Sequence, residues 1–210
     1  MKKITILLIT VMFTLATSAF AGGMVGVKYG SGELDGSSKS YVSGGTTYAA
    51  QSGSKSNDFA AIYAEVNIKE SPISIGLEYV PFDADVSLNG STSGSSANVS
   101  DYTTLYALAM TDLANASVYA KVGYSMADIG TVKNSDGKTT INSNSKELEG
   151  IMYGIGIQSK AENGIVARAE YTYTEFDDIS VNTTSNAAAS VTKKASGELS
   201  TMTVSIAKSF

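Results

Sequence analysis

The residues able to do chemistry are few, and their types are restrictive. The chain has no histidine and no cysteine among its 210 residues. A Ser-His-Asp arrangement is therefore impossible, and the imidazole and thiolate ligands of most metal sites are missing. Carboxylate pairs occur at Asp83 and Asp85 and at Asp177 and Asp178, but they lie in polar Ser/Asn-rich stretches without the ligand spacing of a Ca²⁺ loop. Gly154 and Gly156 form a "GIG", yet no helical pattern follows it, as a dinucleotide-binding turn requires. No enzyme activity, cofactor or metal is expected. What stands out is charge in the middle of apolar runs: Lys28, Glu65, Glu78, Lys121, Arg168 and Glu170. Burying any of these without a partner would be very costly. Three positive and three negative charges can instead pair with one another in an enclosed interior.

The elements that carry these charges alternate with period two. Runs at about 23–30, 58–69, 72–82, 101–112, 116–126, 147–160, 165–175 and 198–210 are rich in Tyr, Val, Ile and Thr, which predicts eight strands. Both prolines, Pro72 and Pro81, fall at strand margins, where a missing N–H is tolerable. Between the runs, the stretches 31–57, 83–100, 127–146 and 176–197 are long and polar and read as loops, whereas "ES", "LANA" and "AENG" are tight. Asp136-Gly137 predicts a hairpin turn within the third long stretch. Long and short connections that alternate without exception imply an up-and-down meander with all long loops on one side. That asymmetry belongs to transmembrane β-barrels rather than soluble sandwiches.

The N-terminus fits export. Lys2 and Lys3, an apolar stretch from Ile4 to Leu15, and Ala19-Phe20-Ala21 have the order of a cleavable signal peptide, with residues 1–21 removed and 22–210 forming the barrel domain. The apolar stretch is too short for a spanning helix. Loss of Lys2 and Lys3 makes an already acidic chain, formally −5, more acidic still. Nucleic acid is excluded as a partner, because it demands basic patches.

Parity then assigns the faces. Lys28, Glu65, Glu78, Lys121, Arg168 and Glu170 fall inward, while Val25, Val27, Ile62, Ile75, Val122, Val204 and Ile206 face lipid. On the lipid face a midplane Lys or Arg would cost roughly 2 to 4 kcal/mol. Leu105, Leu148 and Met152 also fall inward, against the expected polar lumen, and Gly26, Gly76, Gly123, Gly150, Gly154 and Gly156 keep that lumen from overpacking. Tyr29, Tyr79, Tyr124 and Tyr173 near the loop-side ends of upward strands, with Tyr102 opening a downward one, predict an aromatic girdle.

Together with the terminal "VSIAKSF", these features resemble the small outer-membrane β-barrel superfamily of OmpA/OmpX type: all-β, an eight-stranded antiparallel up-and-down barrel in the outer membrane of a Gram-negative bacterium. The resemblance implies that Val204, Ile206 and Phe210 form the signal read by the barrel-assembly machinery; Lys208 departs from the apolar residue usual two places before the end. Lys208 shares lipid-facing parity and is predicted to snorkel to the interface. Two functions follow. One is a structural or surface-interaction (adhesion-type) barrel, its lumen filled by paired charges and its loops free to contact host or environmental surfaces. The other is a narrow porin-like passive channel for water, ions or very small solutes. Eight strands enclose only enough space for side chains, which favours the first. Outer-membrane lipid is the expected surround, and a closed barrel, having no free edge, is expected to be monomeric.

Overall fold

A computed structural model of the chain describes residues 20–43, 46–81, 83–88, 95–129, 132–134, 140–143, 147–184 and 190–210. The expected leader lies outside the described residues except for Phe20 and Ala21, which begin the first strand. The barrel strands are β1 (Phe20–Ser38), β2 (Gln51–Ile68), β3 (Ile73–Tyr79), β4 (Ser95–Leu113), β5 (Ala116–Ile129), β6 (Glu147–Lys160), β7 (Ile165–Thr184) and β8 (Ser190–Ser209). Each pairs antiparallel with its chain neighbours, and β1 pairs with β8 from Met24↔Ser209 to Ser38↔Ala195, so the sheet closes into a ring. Closure extends to the last residue: Gly23 and Phe210 exchange backbone hydrogen bonds of 3.1 and 2.9 Å.

Three tight turns join the strands at one end. Glu70 and Ala114 adopt positive φ of 57° and 48°, and Gly164 one of 79°. Gly164 donates its N–H to the Ala161 carbonyl at 2.9 Å. At the other end the stretches expected to be loops are largely strand. β1 and β2 stay paired to Ser38↔Gln51, and β7 and β8 to Thr184↔Ser190. A membrane crossing takes about 9 to 11 residues of strand, and β1, β7 and β8 have 19, 20 and 20. The surplus rises beyond the spanning segment as a wall. Its sequence has little apolar alternation, and the β7–β8 ladder slips by one residue between Phe176 and Ile179 before pairing resumes above it. Tyr41–Ser43 and Thr46–Tyr48 form a small hairpin beyond it. The Asp136-Gly137 turn lies outside the described residues, but its flanks pair antiparallel as Thr140↔Lys133 and Ile141↔Val132.

The largest break in the ring lies on one side. β3 ends at Tyr79, and Pro81, which has no N–H to donate, interrupts the ladder before a short strand, Ala84–Leu88, pairs again with the upper part of β4. Opposite the break, β4 slips register between Ser100 and Thr103, with Asp101 at a φ of 54°: a β-bulge. The Tyr79 hydroxyl donates to the Asp101 carboxylate at 2.8 Å across the defect. A bulge inserts one residue and so reverses parity on its two sides. Leu105, expected inward, is therefore turned out and 44 % exposed, while Tyr106 and Leu108 are buried. Leu148 and Met152 do point inward, Met152 being buried and Leu148 half-buried.

Candidate functional site

Alternation in the straight strands brings the six charged side chains to one level of the lumen. Lys28 Nζ on β1 lies 2.6 Å from both Glu78 Oε2 on β3 and Glu170 Oε1 on β7. Lys121 on β5 reaches the same two oxygens at 3.2 and 3.1 Å. Two cations and two anions thus alternate around a square in which every ion touches two of opposite sign. Beside it, Arg168 on β7 grips Glu65 on β2 through two nearly parallel hydrogen bonds of 2.8 and 2.9 Å. This is the bidentate geometry that a planar guanidinium suits best. All six side chains are buried, Glu65 completely. The pairs balance in charge, and each carboxylate gains a further phenol donor or a second cation.

Neutral side chains complete this cluster: parity turns Tyr119 and Gln158 inward but leaves Tyr106 outside, because of the slip in β4. Tyr106 donates its hydroxyl to Glu65 at 3.1 Å, and Tyr119 donates to Glu170 at 2.9 Å. Gln158 accepts the Arg168 Nε–H at 2.8 Å. Lys121 Nζ sits 3.9 Å from the centre of the Tyr106 ring, a close cation–π contact. Inward tyrosines fit because each lies over a glycine on the neighbouring strand. A Cβ on Gly76 would collide with the Tyr106 ring, and one on Gly156 with the Tyr119 ring. Tyr63 lies over Gly26 in the same way, 2.7 Å from where a Cβ would stand. The readable signal was the cross-strand pairing of Gly26 with Tyr63, Gly76 with Tyr106 and Gly156 with Tyr119, which becomes visible only when register is known.

The other predicted groups divide. Tyr29 and Tyr124 are exposed on the outer face, and Tyr79 and Tyr173 are half-buried there. Tyr102 is not in the girdle. The bulge turns it inward, where its hydroxyl donates to Ser125 Oγ at 3.0 Å and its ring packs edge-on against Phe176. Val204, Ile206 and Phe210 are exposed on the outside at 60, 54 and 67 %. Lys208 shares their parity but sits beside the turn, where its ammonium donates to the Asn163 carbonyl. Of the carboxylate pairs, Asp178 binds Lys39, Asp83 borders the upper lumen, and the side chain of Asp85 lies outside the described residues.

A closed antiparallel ring with apolar residues outside, ion pairs inside and tight turns at one end defines a transmembrane β-barrel of the outer-membrane kind. The family comparison agrees: the chain belongs to the outer membrane protein beta-barrel domain family, matched over residues 4–192. It is a bacterial outer-membrane protein, in contact with lipid over its outer face. Among solved structures it is similar to the outer membrane protein OprG from Pseudomonas aeruginosa (13 % identity, 92 % of this chain and 98 % of that one, TM-score 0.64). It is also similar to the outer membrane protease OmpT from Escherichia coli (10 % identity, 93 % and 99 %, TM-score 0.54). A third similar structure is the neisserial surface protein NspA (11 % identity, 87 % and 96 %, TM-score 0.50). At these identities the likeness is one of fold alone. No curated protein sequence matches the chain.

Proposed function

We propose that the protein is a monomeric, non-enzymatic barrel whose lumen is sealed by its charge cluster and whose work is done outside the membrane, in contacts with environmental or host surfaces. The carrying observation is the shared square of Lys28, Lys121, Glu78 and Glu170 with the Arg168–Glu65 clasp beside it. Mobile ions crossing the lumen would have to break several of these bonds at once, because no charge in the square has a single partner. The tall outer wall supports a surface role, since it sets the ends of β1, β2, β7 and β8 well clear of the lipid. Export would remove residues 1–21. The exposed Val204, Ile206 and Phe210 would then be presented to the barrel-assembly machinery at the closing strand.

Planar-bilayer recording of the refolded protein tests the seal. The expected record is electrically silent at moderate voltage. Steady unit openings whose size changes in Glu78→Ala or Arg168→Ala would overturn the sealed reading and establish the narrow passive channel in its place.

A further inference from the structure

On the loop side of the charge cluster the luminal face changes character. Leu34 on β1, Phe59 on β2, Tyr102 on β4, Met152 on β6, Phe176 on β7 and Leu199 on β8 surround a cavity of about 140 Å³ whose floor is Glu78 and Lys121. The interior of an outer-membrane barrel is ordinarily polar. Here six strands each contribute a large apolar or aromatic residue to one chamber and leave space between them. Packed apolar side chains leave few voids larger than a water molecule, so a chamber of this size is not leftover space. Nor does it suit water: a buried water needs two to four polar partners. The polar groups around its lower part are already partnered: Glu78 Oε2 takes both Lys28 and Lys121, Thr172 and Thr201 bond each other, and Thr104 bonds Ser125, while Lys55 and Asn57 lie higher on β2 toward the loop side. The rim includes Lys55 and the exposed Asp83, so the chamber is reachable from solvent.

We propose that this vestibule is a binding site for a small neutral apolar molecule of about one ring. Size sets the upper limit, because an apolar cavity of roughly 150 Å³ accommodates benzene. Charge sets the class. The floor is already neutralised, and Lys55 and Asp83 give the rim one charge of each sign, so no net charge there selects an ion. Tyr102 and Phe176, edge to face at 6.5 Å between ring centres, supply aromatic walls. The site goes beyond the surface role proposed above. It is a dead end, closed below by the ion pairs, and therefore retains its occupant instead of passing it through the membrane.

Two methionines make the test internal to one sample. The Met152 side chain lines the chamber, whereas Met202 is 70 % exposed on the lipid face. Refolded protein carrying ¹³C-methyl methionine, in lipid nanodiscs, is titrated with toluene and followed by methyl NMR. The expected result is a saturable shift of Met152 against a linear, unsaturated drift of Met202, which reports toluene dissolved in lipid. Leu199→Trp fills the chamber and is expected to raise the half-saturation concentration about tenfold or more. If that variant lacks the heat-modifiable mobility of a folded barrel, Leu148→Phe at the wall replaces it with the same expectation. A Met152 signal that does not move, or that drifts in parallel with Met202, overturns the proposal. So does unchanged saturation in a folded, chamber-filled variant.

Discussion

Two ion pairs of nearly equal length sit in two regions of this molecule and do different things. Lys28 and Glu170 meet at 2.6 Å in the membrane-spanning lumen, with side chains 6 and 4 % exposed; Lys39 and Asp178 meet at 2.8 Å on the outer wall, with side chains 66 and 41 % exposed. Distance does not separate them, so solvent must. At 4 Å, two unit charges attract by about 1 kcal/mol in water and about 4 kcal/mol at the effective dielectric near a protein. The luminal ions lost their hydration to get there, and they recover it only because each has several partners. The wall pair gave up little water and gains little. The lumen is therefore a region where removal of one group exposes a large unbalanced cost, and the wall is one where removal is nearly silent.

The largest expected effect follows from deleting one side of the clasp. Arg168→Ala leaves Glu65 buried with only the Tyr106 hydroxyl beside it. Breaking a buried pair in this way costs about 3 to 5 kcal/mol. Urea-driven unfolding in detergent micelles, read by the heat-modifiable gel shift, should show it as a much lower midpoint. Removing both partners, as Arg168→Met with Glu65→Leu, should be less damaging than Arg168→Ala alone, because no uncompensated charge remains. Equal midpoints for wild type and Arg168→Ala would mean that the lumen is wet and that the two regions do not differ.

A smaller effect isolates packing from charge at the same level of the barrel. Gly76→Ala places a methyl group into the Tyr106 ring and, as overpacking, should cost about 1 to 3 kcal/mol. Gly197 on the wall is the matched control: a Cβ there would meet nothing nearer than 3.7 Å. Gly197→Ala should leave the urea midpoint near that of wild type. If the two alanine variants unfold alike, the inward tyrosines are free to move aside and do not brace the ion pairs.

The difference between the regions also explains what the sequence disclosed. In the lumen, charges in mid-strand have one tolerable side, so Lys28, Glu65, Glu78, Lys121, Arg168 and Glu170 could be placed inward from parity alone, and the structure brings all six together. On the wall both sides are tolerable. Segments such as Ser31–Ser38 carry no alternation and read as loop, although they are strand. The bulge at Asp101 defeated parity in a third way. "DYTTLYALAM" has aromatic or apolar residues on both faces, so nothing local shows that the register slips, and parity puts Tyr102 and Leu105 on the wrong sides. The apolar ring of the vestibule was hidden for a related reason. Leu34, Phe176 and Leu199 lie in stretches read as loop or at a strand's margin, where inward and outward had not been defined.

The smallest expected effect lies on the wall and is a matter of pH. The hydrogen bond and charge of Lys39 hold the Asp178 carboxyl below the ordinary aspartate range. A carboxyl depressed in the folded state contributes its stabilisation above the unfolded value and loses it as pH falls through the lowered, folded one. Carboxyl-detected NMR of the refolded protein should therefore find Asp178 titrating at lower pH in wild type than in Lys39→Ala. High salt should narrow the gap, since at 1 M ionic strength exposed charges are screened beyond about 3 Å. The urea midpoint of Lys39→Ala should match that of wild type at every pH above this window, because a solvated pair contributes little to global folding. A drop approaching that of Arg168→Ala would break the comparison, since it would mean that the wall and the lumen unfold as one unit, with strain at the top transmitted down the shared strands β1 and β7 to the charge cluster.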